Sequence, residues 1–323
     1  MPSYAIEGGR KLEGEVTISG SKNASLPIIA ASILNGNITK LYQVPDIHDT
    51  KVMIETLKTL GCQVKRNSAK IVIDSKRMNT YEIPENLMRE MRSSVIIAGA
   101  MLGRFRTATF SYPGGCDIGS RPIDLHLKGF EKLGAKIQEE SGYIKCSCDT
   151  IKGANIHLDF PSVGATENIM LASVLAEGTT CITNSAKEPE IVDLAKMLNR
   201  MGAKIEGAGT DKITIQGVKN LKPVSYNIMP DRIEAGTFLC MVAATGGKAL
   251  VKNIVPEHLT PILHQLENCG CQMQVEKNTI AIEAPKKLKA TDIKTMPYPR
   301  IPNRYAIRIW INASRSERNF YSY

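Results

Sequence analysis

Met201-Gly202-Ala203-Lys204-Ile205 decides the fold, because it returns as Leu60-Gly61-Cys62-Gln63-Val64, Leu133-Gly134-Ala135-Lys136-Ile137 and Cys269-Gly270-Cys271-Gln272-Met273. The four glycines are spaced by 73, 68 and 68 residues, a period that marks a repeated supersecondary unit. Before each glycine the apolar residues recur at helical spacing. In the third unit Ile191, Leu194, Ala195 and Leu198 share one face. Glycine is expected just past a helix end because it takes φ > 0 without a Cβ clash. After it come two β-like runs, Ala203 to Glu206 and Lys212 to Ile215, joined by the turn chemistry of Gly207-Ala208-Gly209-Thr210-Asp211. Further strands are predicted ahead of the helices at Thr107 to Ser111, Thr179 to Thr183 and Lys248 to Lys252. Each unit is therefore roughly strand, helix, strand, strand in an α/β fold. The residue after the glycine is Cys, Ala, Ala or Cys. Such a slot requires a small side chain, so Cys62 and Cys271 are expected to pack.

The chain has 323 residues, 43% hydrophobic and 23% charged, enough to bury a large core in two domains. Its longest apolar stretches, Ser94 to Leu102 and Phe238 to Thr245, fall short of the roughly 20 residues that span a bilayer. Met1 to Glu7 lacks a basic start followed by an apolar run, so no secretory leader is expected and residence is expected to be cytoplasmic. Eight cysteines in so long a chain do not form a small disulfide framework. Cys146/Cys148 and Cys269/Cys271 are too closely spaced, with too few further ligands, for a usual zinc site, and no metal is expected. A net charge of +9 suits nucleic acid, a membrane surface or anionic metabolites. The basic residues are dispersed and lack interleaved aromatics, which favours anionic metabolites over nucleic acid or membrane as partners.

Five segments could carry chemistry. Ser19-Gly20-Ser21-Lys22-Asn23-Ala24 leads into a helix, which places Lys22 and Asn23 where free backbone N–H groups and the helix dipole attract an anion. The same residues serve equally as an ordinary cap beside a solvated lysine. Arg89-Glu90-Met91-Arg92-Ser93-Ser94 opens a second apolar helix, where an arginine can hold a phosphate or carboxylate through paired donors or lie on the surface. Pro113-Gly114-Gly115-Cys116-Asp117-Ile118-Gly119-Ser120-Arg121-Pro122 is the sharpest feature. Its glycines free the backbone, and Arg121 could favour a Cys116 thiolate or an anionic substrate. A turn with an incidental cysteine is the plain alternative. Ser162-Val163-Gly164-Ala165-Thr166-Glu167-Asn168 opens another helix, and Asp231-Arg232-Ile233-Glu234 follows Pro230 at the head of the fourth unit.

In this order these segments resemble the enolpyruvyl transferase family, specifically its UDP-N-acetylglucosamine 1-carboxyvinyltransferase branch, over about residues 1–299. The resemblance rests on Ser21-Lys22-Asn23-Ala24, Met91-Arg92-Ser93, the Cys116 loop through Arg121-Pro122-Ile123-Asp124-Leu125-His126, Ser162-Val163-Gly164-Ala165-Thr166 and Pro230-Asp231-Arg232-Ile233-Glu234. It implies an inside-out α/β barrel of repeated βαβαββ-type units in two domains, with the site between them. It implies a reaction without metal or organic cofactor, whose partners are phosphoenolpyruvate and UDP-N-acetylglucosamine. By motif, Lys22 contacts phosphoenolpyruvate, Asn23 the sugar hydroxyl or the intermediate, and Arg92 and Arg121 the anionic groups. The resemblance further implies that Cys116 acts as the proton-transfer and lid residue and is the target of fosfomycin. Pro122, Ile123, Asp124 and Leu125 line the nucleotide site with Ser162, Val163 and Gly164. The sister enzyme acting on shikimate 3-phosphate has the same architecture, but the Cys116 loop and the long match from Lys22 to Glu234 speak against it. A non-catalytic remnant that keeps nucleotide-sugar binding is the alternative of a different class.

The sequence leaves the family pattern after Pro297-Tyr298-Pro299. The family continues Gly-Phe-Pro-Thr-Asp-Met-Gln, whose aspartate is the general base, whereas here Arg300-Ile301-Pro302-Asn303-Arg304-Tyr305-Ala306-Ile307 follows. One adenine inserted before GGA TTC CCA ACA GAT ATG CAA TCA gives codons for those very eight residues, so a frameshift is expected, with 300–323 an out-of-frame tail. Six units would need roughly 410 residues, and four are present. The expected organisation is a complete first domain over 22–229, a partial second domain from 1–21 plus 230–299, and turnover impaired by the missing aspartate.

Overall fold

Each of the four repeat glycines lies two residues past the last residue of a helix, with φ of +97° at Gly61, +96° at Gly134, +102° at Gly202 and +93° at Gly270. All four close the same cap. After the helix Pro189–Arg200, Gly202 N–H donates to the Asn199 carbonyl and Ala203 N–H to that of Leu198, each at 3.0 Å. Gly61 and Cys62, Gly134 and Ala135, and Gly270 and Cys271 repeat the pair of bonds, which is the Schellman motif. The residue after each glycine is buried, so Cys62 and Cys271 occupy the small-residue slot expected of them.

The structure, a computed structural model, describes residues 5, 7–112, 123–291 and 296–300, with the side chains of Arg92 and Ser93 left out. The chain divides into two compact units, Gly20–Met229 and a second made of Met1–Ser19 with Pro230–Tyr323.

The described residues of Gly20–Met229 form three sheets. In the third repeat Asn155–His157 lies parallel to Thr179–Thr183, which pairs antiparallel with Lys212–Gln216, which in turn pairs with Lys204–Glu206. Between the two parallel strands runs the helix Val163–Ser173, and after them Pro189–Arg200. The repeat is thus strand, helix, strand, helix, strand, strand, one strand and one helix richer than the sequence pattern indicated. Thr107–Ser111, Thr179–Thr183 and Lys248–Lys252 are strands over the expected residues.

In Lys22–Ala31, Ile96–Phe105 and Val163–Ser173 almost all residues are buried. A helix buried on nearly every side lies in the interior, so these three make the centre. They approach closely because small residues face them: a Cβ on Gly103 would lie 2.7 Å from the Leu171 carbonyl. The amphipathic helices His48–Thr59, Asp124–Lys132 and Pro189–Arg200 pack beside them. The strands alternate buried and exposed residues, as in Ile38–Tyr42 and Lys212–Gln216. Each sheet therefore has one face to the core and one to water. With helices inside and sheets outside, the unit has the inside-out α/β arrangement.

The other unit repeats the plan once. Glu13–Thr17 lies parallel to Lys248–Lys252, followed in the sheet by Thr279–Glu283 and Gln272–Val275. The helices Arg232–Thr245 and Thr260–Asn268 cover a core of its own around Leu239, Val251, Leu266 and Ile280. Its first helix is less enclosed than its counterparts, and Met241 stays 43% exposed.

The chain exchanges strands between the units. Glu13–Thr17 precedes the helix Lys22–Ala31 yet pairs beside Lys248–Lys252, while Val224–Asn227 precedes Arg232–Thr245 yet pairs parallel to Ile38–Tyr42. Backbone bonds fasten both crossings, Ser21 N–H to the Met229 carbonyl at 2.8 Å in one unit and Asp231 N–H to the Ser19 carbonyl at 2.9 Å in the other. A left-handed residue follows the central strand in three repeats, Gln43, Asn184 and Asn253, with φ of 60°, 55° and 57°. The two asparagines use this bend to donate from Nδ2 to the end of the parallel strand, to Leu158 O at 2.7 Å and Ile18 O at 2.6 Å.

Candidate active site in the larger unit

The predicted residues cluster at helix starts. Ser21 caps Lys22–Ala31, its Oγ accepting from Ala24 N–H at 3.3 Å, which makes Lys22 and Asn23 the first two residues of the helix. The first amides of any helix lack an intrahelical acceptor and face outward. Lys22 is more than a solvated neighbour of the cap. Its Nζ stands 2.6 Å from Asp49 Oδ2, on the first turn of His48–Thr59. Nothing in the sequence marked Asp49, because that contact spans two helices.

Arg92 departs from the expected single helix. The helix Glu85–Glu90 ends at Met91, whose backbone is extended, and Arg92–Val95 forms a tight 3-10 turn that leads into Ile96–Phe105. Ser94 fixes the turn, its Oγ donating to the Met91 carbonyl at 2.6 Å.

Ile123 is the buried residue at the head of Asp124–Lys132, with Asp124 exposed and Leu125 half-buried behind it. Cys116, Arg121 and Pro122 lie outside the described residues. Ser162 caps the third helix start, accepting from Ala165 N–H at 3.3 Å, and its carbonyl takes Thr166 N–H at 3.0 Å. The amides of Val163 and Gly164 precede the first intrahelical bond and remain available to an anion.

One buried residue ties three of these segments together. Asn168, fully buried, accepts from Gly99 N–H at 2.9 Å, and its Nδ2 donates to Val95 O at 3.1 Å and His126 Nδ1 at 2.7 Å. The turn carrying Arg92, the helix carrying Ile123 to Leu125 and the helix carrying Ser162 to Gly164 are thereby held around one side chain. Burial pushes the His126 pKa down to about 4, with the Asp124 carboxylate opposing the shift. His126 is neutral at physiological pH.

A second buried group lies on the same helix. Glu167 is buried and its Oε1 has no hydrogen-bond partner. Burial, then Glu190 and Glu188 nearby, hold its carboxyl well above the usual carboxylate range, so it is expected to stay protonated. The thiols of Cys62, Cys146 and Cys271 are pushed up by burial to about 11, 12 and 11, which makes them poor nucleophiles. Asp231 caps the helix Arg232–Thr245 in the smaller unit, accepting from Ile233 N–H at 2.7 Å and Glu234 N–H at 3.1 Å, and the Glu234 carboxylate accepts from Ser19 N–H at 3.0 Å. The acidic side chains of Asp231 and Glu234 thus complete a helix start. Asn168 and His126 both stand inside the quoted motifs, but pattern alone attached no role to either.

The family model described as EPSP synthase (3-phosphoshikimate 1-carboxyvinyltransferase) matches residues 6–312. UDP-N-acetylglucosamine 1-carboxyvinyltransferase 2 of Caldanaerobacter subterraneus subsp. tengcongensis is 50% identical over 303 residues, which cover 94% of this chain and 73% of the relative. The enzyme of the same description from Carboxydothermus hydrogenoformans is 49% identical over 304 residues, with the same 94% and 73%. Among solved structures, the enolpyruvyl transferase NikO from Streptomyces tendae superposes with a TM-score of 0.88 at 20% identity, covering 98% of this chain and 76% of that one. At that identity the likeness is one of fold.

Proposed function

Because the chain belongs to the enolpyruvyl transferase family, in its UDP-N-acetylglucosamine 1-carboxyvinyltransferase branch, we propose that it transfers the enolpyruvyl group of phosphoenolpyruvate to the 3′-hydroxyl of UDP-N-acetylglucosamine. The sugar oxygen bonds to C2 of phosphoenolpyruvate while its proton leaves to a base and C3 gains a proton. The tetrahedral adduct then loses a proton from C3 and phosphate from C2, which restores the double bond. No electrons are exchanged with a cofactor. What the protein must supply is neutralisation of a polyanion and proton transfer.

The observation that carries this reading is that Asn168, on the helix begun by Ser162 to Gly164, is hydrogen-bonded to Val95, at the end of the turn that begins at Arg92, and to His126, on the helix headed by Ile123 to Leu125. It supports a nucleotide-sugar site at the start of Val163–Ser173, with Ser162, Val163 and Gly164 offering a cap and free amides to the phosphates. Lys22, poised by Asp49, meets phosphoenolpyruvate, Asn23 the sugar hydroxyl, and Arg92 and Arg121 the remaining anionic oxygens. Cys116 moves the proton and closes over the substrate, which makes it the residue fosfomycin alkylates. The reaction is placed in the cytoplasm, as the first committed step of peptidoglycan synthesis, and so serves cell shape and division. Among the described residues no helix is long and apolar enough to cross a membrane.

Calorimetric titration with UDP-N-acetylglucosamine, followed by a phosphate-release assay on adding phosphoenolpyruvate, tests the proposal. Binding with sugar-dependent phosphate release supports it. Binding without release assigns the chain only the nucleotide-sugar half, and absence of binding overturns the reading. Release that depends on shikimate 3-phosphate instead would assign it to the sister activity.

A further inference from the structure

The side-chain amide of Asn168 has only one orientation that satisfies its neighbours. Gly99 N–H can only donate, so the atom facing it at 2.9 Å is the oxygen; Val95 O can only accept, so the atom facing it at 3.1 Å is the nitrogen. The second hydrogen of that nitrogen points to His126 Nδ1 at 2.7 Å. Nδ1 must therefore be the unprotonated, accepting nitrogen, and the ring proton sits on Nε2. Protonating Nδ1 would set two donors face to face.

The imidazole edge opposite Nδ1 lies against the first turn of Val163–Ser173. A Cβ on Gly164 would stand 3.1 Å from Cε1 and 3.4 Å from Nε2. His126 is 8% exposed, and among the described residues Nε2 has no hydrogen-bond partner. A donor so placed, beside two helix amides that also lack acceptors, is free to meet an acceptor from outside the protein. Gly164 is small for the same reason, since a side chain there would occupy the space between the ring and the helix start.

We propose that His126 contacts the ligand, donating from Nε2–H to a phosphate oxygen of a nucleoside diphosphate seated on the first turn of Val163–Ser173, and that Asn168 is the positioning residue that locks its tautomer. The identity of that ligand rests on the function proposed above; the tautomer lock does not. A neutral donor suits this place, because it adds a directed hydrogen bond without a charge that would titrate in the working range. Burial, which lowers the affinity of His126 for a second proton, acts in the same direction.

Histidine-selective nitrogen-15 labelling of the full chain, with five histidines to assign, reads the tautomer directly. The expected signature for His126 between pH 6 and 8 is a neutral ring protonated on Nε2, with the Nε2 resonance moving on titration with UDP-N-acetylglucosamine. A ring protonated on Nδ1, or an Nε2 resonance that stays still while calorimetry records binding, overturns the proposal. His126→Asn keeps an acceptor for Asn168 but removes the Nε2 donor, and is expected to weaken UDP-N-acetylglucosamine about tenfold. His126→Gln, whose amide reaches the Nε2 position, is expected to recover part of that loss. Equal affinity of His126→Asn and the unaltered protein overturns the ligand contact. Failure of the unaltered protein to bind the nucleotide sugar overturns the functional reading as well, and the free-state tautomer then still decides the lock.

Discussion

The Tyr226 hydroxyl donates to Asp193 Oδ1 at 2.7 Å, while Met229 N–H donates to the other carboxylate oxygen at 3.2 Å. One side chain on Pro189–Arg200 thus holds both the exchanged strand Val224–Asn227 and the residue where the chain leaves the larger unit. Burial raises the Asp193 pKa, and the two donors oppose the rise. Tyr226→Phe removes one donor from a buried carboxyl and is expected to destabilise this unit by about 2 kcal/mol. Urea unfolding measures it, and a loss under about 0.5 kcal/mol would show that this anchor is not needed for the exchange.

Gly202 is a purer test of backbone conformation. A Cβ there meets nothing within 4 Å, yet φ is +102°, so Gly202→Ala is expected to cost about 1–2 kcal/mol through strain alone. Gly202→Asn should cost less, since asparagine tolerates positive φ better than alanine. Equal stability of all three proteins would show that the cap does not constrain the helix end.

The contrast between these two positions explains what could be read from sequence. Gly61, Gly134, Gly202 and Gly270 were legible because their role is local, set by a helix that ends and a Cβ that does not fit. The strands Thr107–Ser111, Thr179–Thr183 and Lys248–Lys252 were legible because they recur at the same place in successive repeats and run for five residues each. Asn155–His157 and Val224–Asn227 are three and four residues long and leave none. The exchange of strands is invisible for a different reason: Val224 pairs beside Thr39, and no local propensity encodes a partner so distant. The site divides in the same way. Helix starts with Ser21 and Ser162 announce themselves by cap chemistry, whereas Asp49 beside Lys22 and Asn168 beside His126 exist only once helices are packed. At Arg92 the apolar run concealed an extended residue, Met91, that separates two helical segments.

Lys22 and Asp49 allow function to be separated from stability. Their side chains are 43% and 27% exposed, and a pair so accessible to solvent contributes at most about 1 kcal/mol. Lys22→Met and Asp49→Asn are therefore expected to unfold within about 1 kcal/mol of the unaltered protein. Lys22→Met should weaken phosphoenolpyruvate binding strongly and Asp49→Asn mildly, since the lysine keeps its charge and loses only its orientation. A large stability loss in Lys22→Met would make this lysine structural.

Thiol chemistry separates Cys116 from the buried cysteines. Native protein treated with iodoacetamide at pH 7.5 and mapped by mass spectrometry is expected to label Cys116 first, aided by Arg121 and the glycines around it. Cys62, Cys146 and Cys271, whose thiols burial pushes to about 11, 12 and 11, should react only after unfolding. A Cys116 rate whose midpoint lies near the free-thiol value of about 8.5 would remove the argument for an activated thiolate.

The pH dependence of stability follows from His126. Its folded-state pKa of about 4 lies below the ordinary 6.5, so as pH falls the unfolded chain takes up the proton first. Its contribution is whole above about pH 6.5, shrinks as pH drops and is gone below about 4, a loss on the order of 3 kcal/mol for so buried a ring. Glu167 acts with the opposite sign. Its raised pKa means that the folded state holds a proton the unfolded chain releases, so acidification favours folding through that group. The two effects mix in the unaltered protein, and a simple acid profile would misassign them. Comparing it with His126→Asn at each pH cancels Glu167 and leaves the histidine. The stability advantage of the unaltered protein over His126→Asn is expected to be steady from pH 7 to 8 and to shrink progressively towards pH 4.5 in urea unfolding. An advantage independent of pH would mean that His126 titrates alike in the folded and unfolded states, and that Asn168 does not hold it neutral.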